Sequence, residues 1–343
     1  MVNAKIKDSI NTNDYKELNM LTPPVSYSVI CTDYLLNEVI PQFQIEQAEH
    51  CEFWCQGLND SYKVSTSTDT FLLRIYRHGW RDLPAINFEV EALLHLKNNG
   101  VDVAYPIATK KGDYIINIEA PEGIRYVILT RYAKGQELSL SEEGSAESYA
   151  QHMAQIHSLS ETFKAPPERF KLDVEHLLTE PIQRIKPFLA DRLEDCEFIE
   201  SCSKNLQLVL QGMLDDSTDF GFCHGDMHGG NAHLDGSQLI SFDYDCCGFG
   251  LRVYDLAIFK WALKLHKKDD SIWQRFLESY QQHRPLSPQD LQQIDHLVCI
   301  RHIWLIGLHI DIAVAKGWLS EKYFDQQIDF LKTQIDEIKN NES

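Results

Sequence analysis

Long apolar runs are missing from this 343-residue chain. No run approaches the roughly 20 apolar residues needed to span a bilayer. The N-terminus, with Asp8, Asp14 and Glu17, lacks the charged and apolar blocks of a signal peptide. Positive charge is also scarce: 32 Lys and Arg face 51 Asp and Glu, for a net charge of −19. General nucleic-acid binding needs a cationic surface to displace counterions, so the balance argues against a nucleic-acid partner and against anionic membranes. The nine cysteines are odd in number and follow no regular spacing. Neither a disulfide framework nor a pair of C-x-x-C zinc motifs is expected. Reduced thiols in a cytoplasmic protein are the plain reading. There is no internal repeat and no low-complexity segment, and residues 1–24 read as a flexible tail ending at Pro23-Pro24.

The densest chemistry lies between His224 and Asp255. Asp226 is followed five residues later by Asn231, and twelve further on by Asp243 in Phe242-Asp243-Tyr244. That order matches a kinase catalytic segment, in which one Asp accepts a hydroxyl proton while an Asn and a second Asp hold metal ions against ATP's phosphates. Gly225, Gly229 and Gly230 oppose a helix, each costing roughly 1 kcal/mol relative to Ala. Phe220 to Cys223 enters as a strand. Ala232-His233-Leu234, the turn Asp235-Gly236 and Gln238 to Phe242 form a hairpin that brings Asp243 back beside Asn231. Oxygen donors of this kind suit Mg²⁺. Two other readings stay open: a transition-metal site from His224, His228 and His233, or a loop whose polar groups are merely satisfied.

His224-Gly-Asp226-Met-His228-Gly-Gly-Asn231, then Phe242-Asp243-Tyr244-Asp245, then Tyr254-Asp255-Leu256-Ala257 resemble the aminoglycoside phosphotransferase/choline kinase superfamily, which includes homoserine kinases. The resemblance extends more weakly from about Ile45 to Lys264. It implies Asp226 as the catalytic base and Asn231 and Asp243 as Mg²⁺ ligands; His228 is a catalytic candidate that either contacts the phosphate or acceptor or packs the catalytic loop. Asp255 would be a structural acid bracing the catalytic loop, and Asp245 an acid supporting the site from behind.

The N-terminal third reads as strands at Gln44 to Phe53, Ser61 to Ser65 and Phe71 to Tyr76, then a helix over 84–98 and strands at Tyr114 to Ile118 and Tyr126 to Arg131. The first connection carries a single glycine rather than G-x-G-x-x-G, and Gly57, Asn59 and Ser61 are candidates to cover the phosphates. By the resemblance, Arg74 occupies the place of a phosphate-binding Lys. Glu89 and Glu91 lie about 200° apart on their helix, so only one can face that cation, and the resemblance favours Glu89. Thr130 and Tyr132 fall where adenine meets the hinge.

The expected fold is α+β and protein-kinase-like, with a small antiparallel-sheet lobe over 25–131 and a larger, mainly helical lobe over 132–343. Helices are expected over 145–158, 172–189, 194–214, 254–267, 270–282, 287–317 and 319–339, with Gly307 and Gly317 as candidate breaks in the 287–317 span. The expected activity is transfer of ATP's γ-phosphoryl group, with Mg²⁺, to a hydroxyl of a small molecule: an amino alcohol, hydroxy amino acid or amino sugar. Trp261, Trp304, Trp318, His309 and Asp311 are candidates to hold a cationic acceptor through an aromatic face and a carboxylate. A stress-response type protein Ser/Thr kinase and a nucleotide-binding pseudokinase are the alternatives. The sequence carries no signal for oligomeric state.

Overall fold

The computed structural model describes residues 23–164, 169–216, 219–317 and 319–342. Alternation of burial builds the first sheet. In Asp60–Ser65, Asp60, Tyr62 and Val64 are buried while Ser61, Lys63 and Ser65 are not, the period of two that a half-buried strand requires. Five antiparallel strands, His50–Gln56 (β1), Asp60–Ser65 (β2), Thr70–Ile75 (β3), Ile116–Ala120 (β4) and Gly123–Arg131 (β5), pair in the order β1-β2-β3-β5-β4. Tyr62, Val64, Leu73, Ile75, Val127 and Leu129 pack one face of this sheet onto Leu35, Val39, Ile40 and Phe43. The opposite face, bearing Ser61 and Arg74, is left for the site.

The first strand begins later than the sequence suggests. Phe43 bridges to Thr109 and the Gln44 N–H bonds the Ala108 carbonyl, which commits that segment to another loop. The flexible tail expected over 1–24 lies outside the described residues except for Pro23 and Pro24. A helix, Leu83–Asn98 (α1), follows β3 in the chain; Asp82 caps it by accepting from the Ala85 N–H at 3.0 Å, and Pro84 sits in its first turn, as expected at a helix start.

After Arg131 come Gln136–Glu137 (β6), Ser145–Leu159 (α2), Lys171–Leu172 (β7), Glu180–Ile185 (α3) and Leu193–Asp216 (α4). Next are Phe220–Cys223 (β8), Ala232–Asp235 (β9), Gln238–Ser241 (β10) and Gly248–Leu251 (β11). Four helices finish the chain: Val253–Leu265 (α5), Asp270–His283 (α6), Pro288–Lys316 (α7) and Glu321–Glu342 (α8). The small strands form two three-stranded sheets, β10-β9-β6 and β7-β11-β8.

Two expectations needed revision here. The helix expected over 172–189 is divided into a π turn, α3 and a 3-10 turn, with Pro181 and Pro187 at the second positions of the last two; a proline cannot donate to the preceding turn. Gly307 does not divide α7. A Cβ at Gly307 would press on Pro181 of α3, so the missing side chain serves helix contact rather than a break. β11 was not anticipated from Gly-Phe-Gly-Leu; its four-pair antiparallel register with β8 outweighs weak local propensity.

Candidate active site

β8 delivers the chain to residues 224–231, which end in a 3-10 turn at Gly229–Asn231. The β9–β10 hairpin then returns in register, Ala232 opposite Ser241, and the Phe242 N–H bonds the Asn231 carbonyl at 3.0 Å. Asp243 is thereby brought beside Asn231, as the hairpin pattern implied. The Asn231 Nδ2 donates to the Asp226 carbonyl at 2.9 Å and to its Oδ2 at 3.3 Å, leaving the carboxamide oxygen as a hard donor.

Asp255 braces this loop from inside the protein. Fully buried, it accepts from the backbone N–H of His224 at 2.7 Å and of Gly225 at 2.8 Å, and His157 lies 3.0 Å from its Oδ2. Gly225 has φ 78°, and a Cβ there would collide with the Cys246 carbonyl oxygen; only glycine holds that position without strain.

Asp226 has a partner that sequence reasoning missed. Arg301, from the middle of α7, donates through Nη2 to Asp226 Oδ1 and through Nη1 to the Gly225 carbonyl at 3.3 Å. Burial would push the Asp226 carboxyl up, but Arg301, then His228, His224 and Asn231, outweigh it and hold it below the ordinary carboxylate range. Arg301 lies between Trp261 and Trp304, 5.2 and 4.6 Å from their ring centres. Each of these two aromatics therefore has an internal guanidinium beside it, while Trp261 also lines the cavity that His228 lines. His309 is bonded instead to the Tyr323 hydroxyl at 3.2 Å; Trp318 and the Asp311 side chain lie outside the described residues.

The sheet contributes from the other side. Cys55, Ser61 and Arg74 stand opposite one another across β1, β2 and β3. Arg74 uses separate nitrogens: Nη1 to Glu89 Oε1 at 2.9 Å and Nη2 to Asp243 Oδ1 at 2.7 Å. Burial works against its charge, but Asp243 and Glu89 outweigh it and raise the Arg74 pKa further. Glu89 is the acid that faces the cation, and the Tyr76 hydroxyl donates to its Oε2 at 2.8 Å; Glu91 is exposed. Asp243 sits at φ 66°, ψ 58°, a left-handed conformation that costs a non-glycine residue roughly 1 kcal/mol or more.

The remaining candidates divide. The Gly57 N–H closes a turn onto the Asn59 carbonyl at 3.0 Å. The Asn59 carboxamide is committed at both ends, to Asp245 Oδ2 at 2.8 Å and to the Arg77 N–H at 3.1 Å, so its side chain ties loops together rather than facing phosphates. Thr130 Oγ1 donates to the Leu72 carbonyl at 3.4 Å. Tyr132 meets the Lys63 ammonium at 5.5 Å, and Lys63 also lies 5.2 Å from the Trp54 ring. His228 Nδ1 accepts from the Gly230 N–H at 3.1 Å, its Nε2 is 3.8 Å from Asp226 Oδ2, and it lines a cavity of about 360 Å³ with Glu137, Trp261 and His266.

Behind the site, Asp245 joins three segments. Its carboxylate accepts from Trp80 Nε1 at 2.8 Å, Asn59 Nδ2 at 2.8 Å and Arg81 Nε at 2.9 Å. Burial raises its pKa, but Arg81, Arg74, Trp80 and Arg169 bring it down to about 2.

The donor set fits a hard divalent ion. Asn231 and Asp243 offer a carboxamide and a half-exposed carboxylate oxygen, the sparse protein ligation typical where phosphates and water complete the shell. It does not fit zinc. The His224 Nε2 is 3.0 Å from the Phe242 carbonyl and its Nδ1 accepts from the Asp226 N–H at 3.3 Å, so both ring nitrogens are engaged. Among the described residues no three His, Cys, Asp or Glu side chains converge as a metal-binding group.

Comparison with known proteins agrees with this arrangement. Residues 56–291 match the family described as "Phosphotransferase enzyme family". An uncharacterized protein of Deinococcus radiodurans is 33% identical over 283 residues, 80% of this chain and 82% of that one. Amicoumacin kinase of Bacillus subtilis is 25% identical over 275 residues, 76% of this chain and 80% of its own. The solved structure of a microcompartment-associated aminopropanol kinase superposes with a TM-score of 0.72 at 18% identity, covering 87% of this chain and 93% of that one. Amicoumacin kinase hAmiN in complex with AMP-PNP, Ca2+ and Ami gives 0.69 at 19% identity, covering 89% and 93%. The α+β, protein-kinase-like fold expected from the sequence is the fold observed.

Proposed function

The chain belongs to the phosphotransferase enzyme family, and from that premise we propose that it moves the γ-phosphoryl group of ATP to a hydroxyl of a small molecule. The observation that carries this reading is a pair of carboxylates, each fixed by an arginine. Asp226 is oriented by Arg301 and Asn231, and Asp243 is held by Arg74. We assign residues 25–131 to nucleotide binding, with Gly57, Ser61, Arg74, Thr130 and Tyr132 around ATP, and residues 132–343 to catalysis and the acceptor. Glu89 orients Arg74, and the Asn59 side chain steadies the phosphate-covering loop.

Phosphoryl transfer asks for positioning and charge neutralisation more than covalent chemistry. Asp226 orients the acceptor hydroxyl and takes its proton through Oδ2, the oxygen not bound to Arg301. Arg74 draws non-transferring phosphate oxygens toward the sheet. Asn231 and Asp243 would hold Mg²⁺, which neutralises phosphate charge when bound. His228, 3.8 Å from Asp226, lines the 360 Å³ cavity, a volume that favours a small acceptor over a protein segment. The double ion pair of Arg74 supports an active enzyme over a pseudokinase. No helix among the described residues is long and apolar enough to cross a membrane, and all nine thiols are free, which supports a reducing compartment such as the cytoplasm.

ADP release should be measured with Mg²⁺-ATP across hydroxylated amines, amino acids, amino sugars and model proteins. Acceptor-dependent ADP that Asp226→Asn abolishes supports the reading. Absence of nucleotide binding would sink it.

A further inference from the structure

The cavity of about 360 Å³ that His228 lines is also walled by Gly229 and Gly230 of the catalytic loop and by Glu137 at the end of β6. Strand pairing fixes Glu137 in place, opposite His233 of β9, the strand that leaves Asn231. The segment after Glu137 presses on the catalytic loop: a Cβ at Gly229 would stand 3.0 Å from Leu140 Cδ1. A Cβ at Gly230 would stand 3.1 Å from the His228 ring and 3.9 Å from Glu137 Oε1. The carboxylate and the imidazole therefore flank one residue of the loop. Among the described residues no hydrogen bond or ion pair engages the Glu137 side chain, and Lys268, a cation of the same lining, does not pair with it.

The reacting oxygen lies next to this cavity. His228 lines it, and the His228 Nε2 is 3.8 Å from Asp226 Oδ2, the oxygen not bound to Arg301. Both side chains keep part of their surface open, 31% for His228 and 21% for Asp226, so an acceptor with its hydroxyl at Oδ2 can run past the imidazole. Leu138, Leu140, Trp261 and Leu263 make much of the wall hydrocarbon, which suits an alkyl spacer better than a ring of hydroxyls. The Trp261 face alone is a poor lure for a second cation, because the Arg301 guanidinium already stands 5.2 Å from its ring centre. The negative charge in the lining comes from Glu137.

We propose that Glu137 anchors an ammonium group of the acceptor, making the acceptor an amine-bearing alcohol with an alkyl spacer; the inference rests on the small-molecule kinase reading above. Two carboxylates then share the recognition, Asp226 at the reacting end and Glu137 at the binding end. An ammonium–carboxylate hydrogen bond is charge-assisted and roughly twice as strong as a neutral one, whereas a methyl group of the same size gains nothing from Glu137.

The test is ADP release by the full chain with Mg²⁺-ATP, comparing each amino alcohol with the alkanol that replaces its ammonium by methyl. The pairs are 3-aminopropan-1-ol with butan-1-ol, 4-aminobutan-1-ol with pentan-1-ol and 5-aminopentan-1-ol with hexan-1-ol. In at least one pair kcat/KM should favour the amine by about tenfold or more. Glu137→Gln should raise the KM for that amine by about tenfold, while the KM for ATP in the same samples reports an intact fold and nucleotide site. Lys268→Gln, which removes the opposite charge from the same cavity, should not raise it. Alkanols turned over as well as their amines, no turnover of any amine despite bound Mg²⁺-ATP, or an amine KM untouched by Glu137→Gln would each overturn the proposal. A rise in the KM for ATP alone would also overturn it, by assigning Glu137 to the nucleotide. The kinase reading fails separately, through absence of nucleotide binding. Turnover of 4-hydroxybutanoate in preference to every amine would keep that reading and discard this one.

Discussion

Asp226 depends on a side chain seventy-five residues away. Arg301 is 2% exposed, and it is the largest of the influences that oppose the upward push of burial on the Asp226 carboxyl. Arg301→Gln should therefore shift the acidic limb of the kcat/KM profile to higher pH, because the base form of Asp226 then persists only at higher pH. The rate at neutral pH should fall by roughly 10²-fold. Arg301→Lys should return most of the pH limb but not the rate, since an ammonium restores charge without the fork to Gly225 and Asp226. An unmoved limb in Arg301→Gln would assign Arg301 to folding alone. Gly225 is a sharper constraint: Gly225→Ala must strain a φ of 78° and displace the Cys246 carbonyl. Chemical denaturation should show a loss of about 2–4 kcal/mol, and an unchanged midpoint would mean the loop relaxes freely.

At the scale of elements, the site is three loops fastened to one another at Asp245. The loop after β1 supplies Asn59, the segment before α1 supplies Trp80 and Arg81, and the loop after β10 carries Asp243 and Asp245 itself. Asp245→Asn leaves the buried Arg81 cation without its counter-ion, so unfolding should become easier by about 3–5 kcal/mol. Because the same change loosens the loop carrying Asp243, the KM for ATP should rise more than kcat falls. Equal changes in both would argue that Asp245 acts only on stability.

The same cluster explains what the sequence could and could not disclose. Asp226, Asn231, Asp243 and Asp255 fall within thirty residues, on one loop, the end of one hairpin and the first turn of α5, so their spacing in the chain was legible. The helix period shows that only one of Glu89 and Glu91 can face a cation on β3, and the family resemblance, not the period, picks Glu89. Arg301, Trp80 and Arg81 reach the site from separate elements, and no local period links them to it. A lone arginine in the apolar run Cys299-Ile300-Arg301-His302-Ile303-Trp304 was the available signal, since a buried cation demands a partner. The use of the Asn59 side chain was hidden for the same reason: its partners, Asp245 and the Arg77 N–H, come from distant segments.

Over the whole molecule, the buried histidines set the acid limit of stability. His302 is fully buried; its Nδ1 accepts from Trp261 Nε1 at 3.2 Å and its Nε2 donates to the Gln327 carbonyl at 2.9 Å. Protonation would set an N–H against the Trp261 N–H, and burial pushes the His302 pKa down to about 4. Burial likewise takes His152 to about 4 and His176 to about 3. The unfolded chain, with histidine near 6.5, therefore binds more protons than the native state between these values. Stability from these groups is complete above about pH 6.5 and is lost as pH falls toward 4, by roughly 3 kcal/mol for His302 alone. Asp245 adds a second loss in more acid solution, complete above about pH 4 and disappearing toward 2, worth about 2 kcal/mol. The melting temperature should hence decline in two stages on acidification, the first well above the carboxylate range. His302→Gln keeps a donor for the Gln327 carbonyl and an oxygen for Trp261 but cannot titrate. It should shrink the first stage by His302's share, leaving that of His152 and His176, and keep the second in place; a melting profile with the wild-type slope between pH 6.5 and 4 would show that His302 is not among the groups responsible.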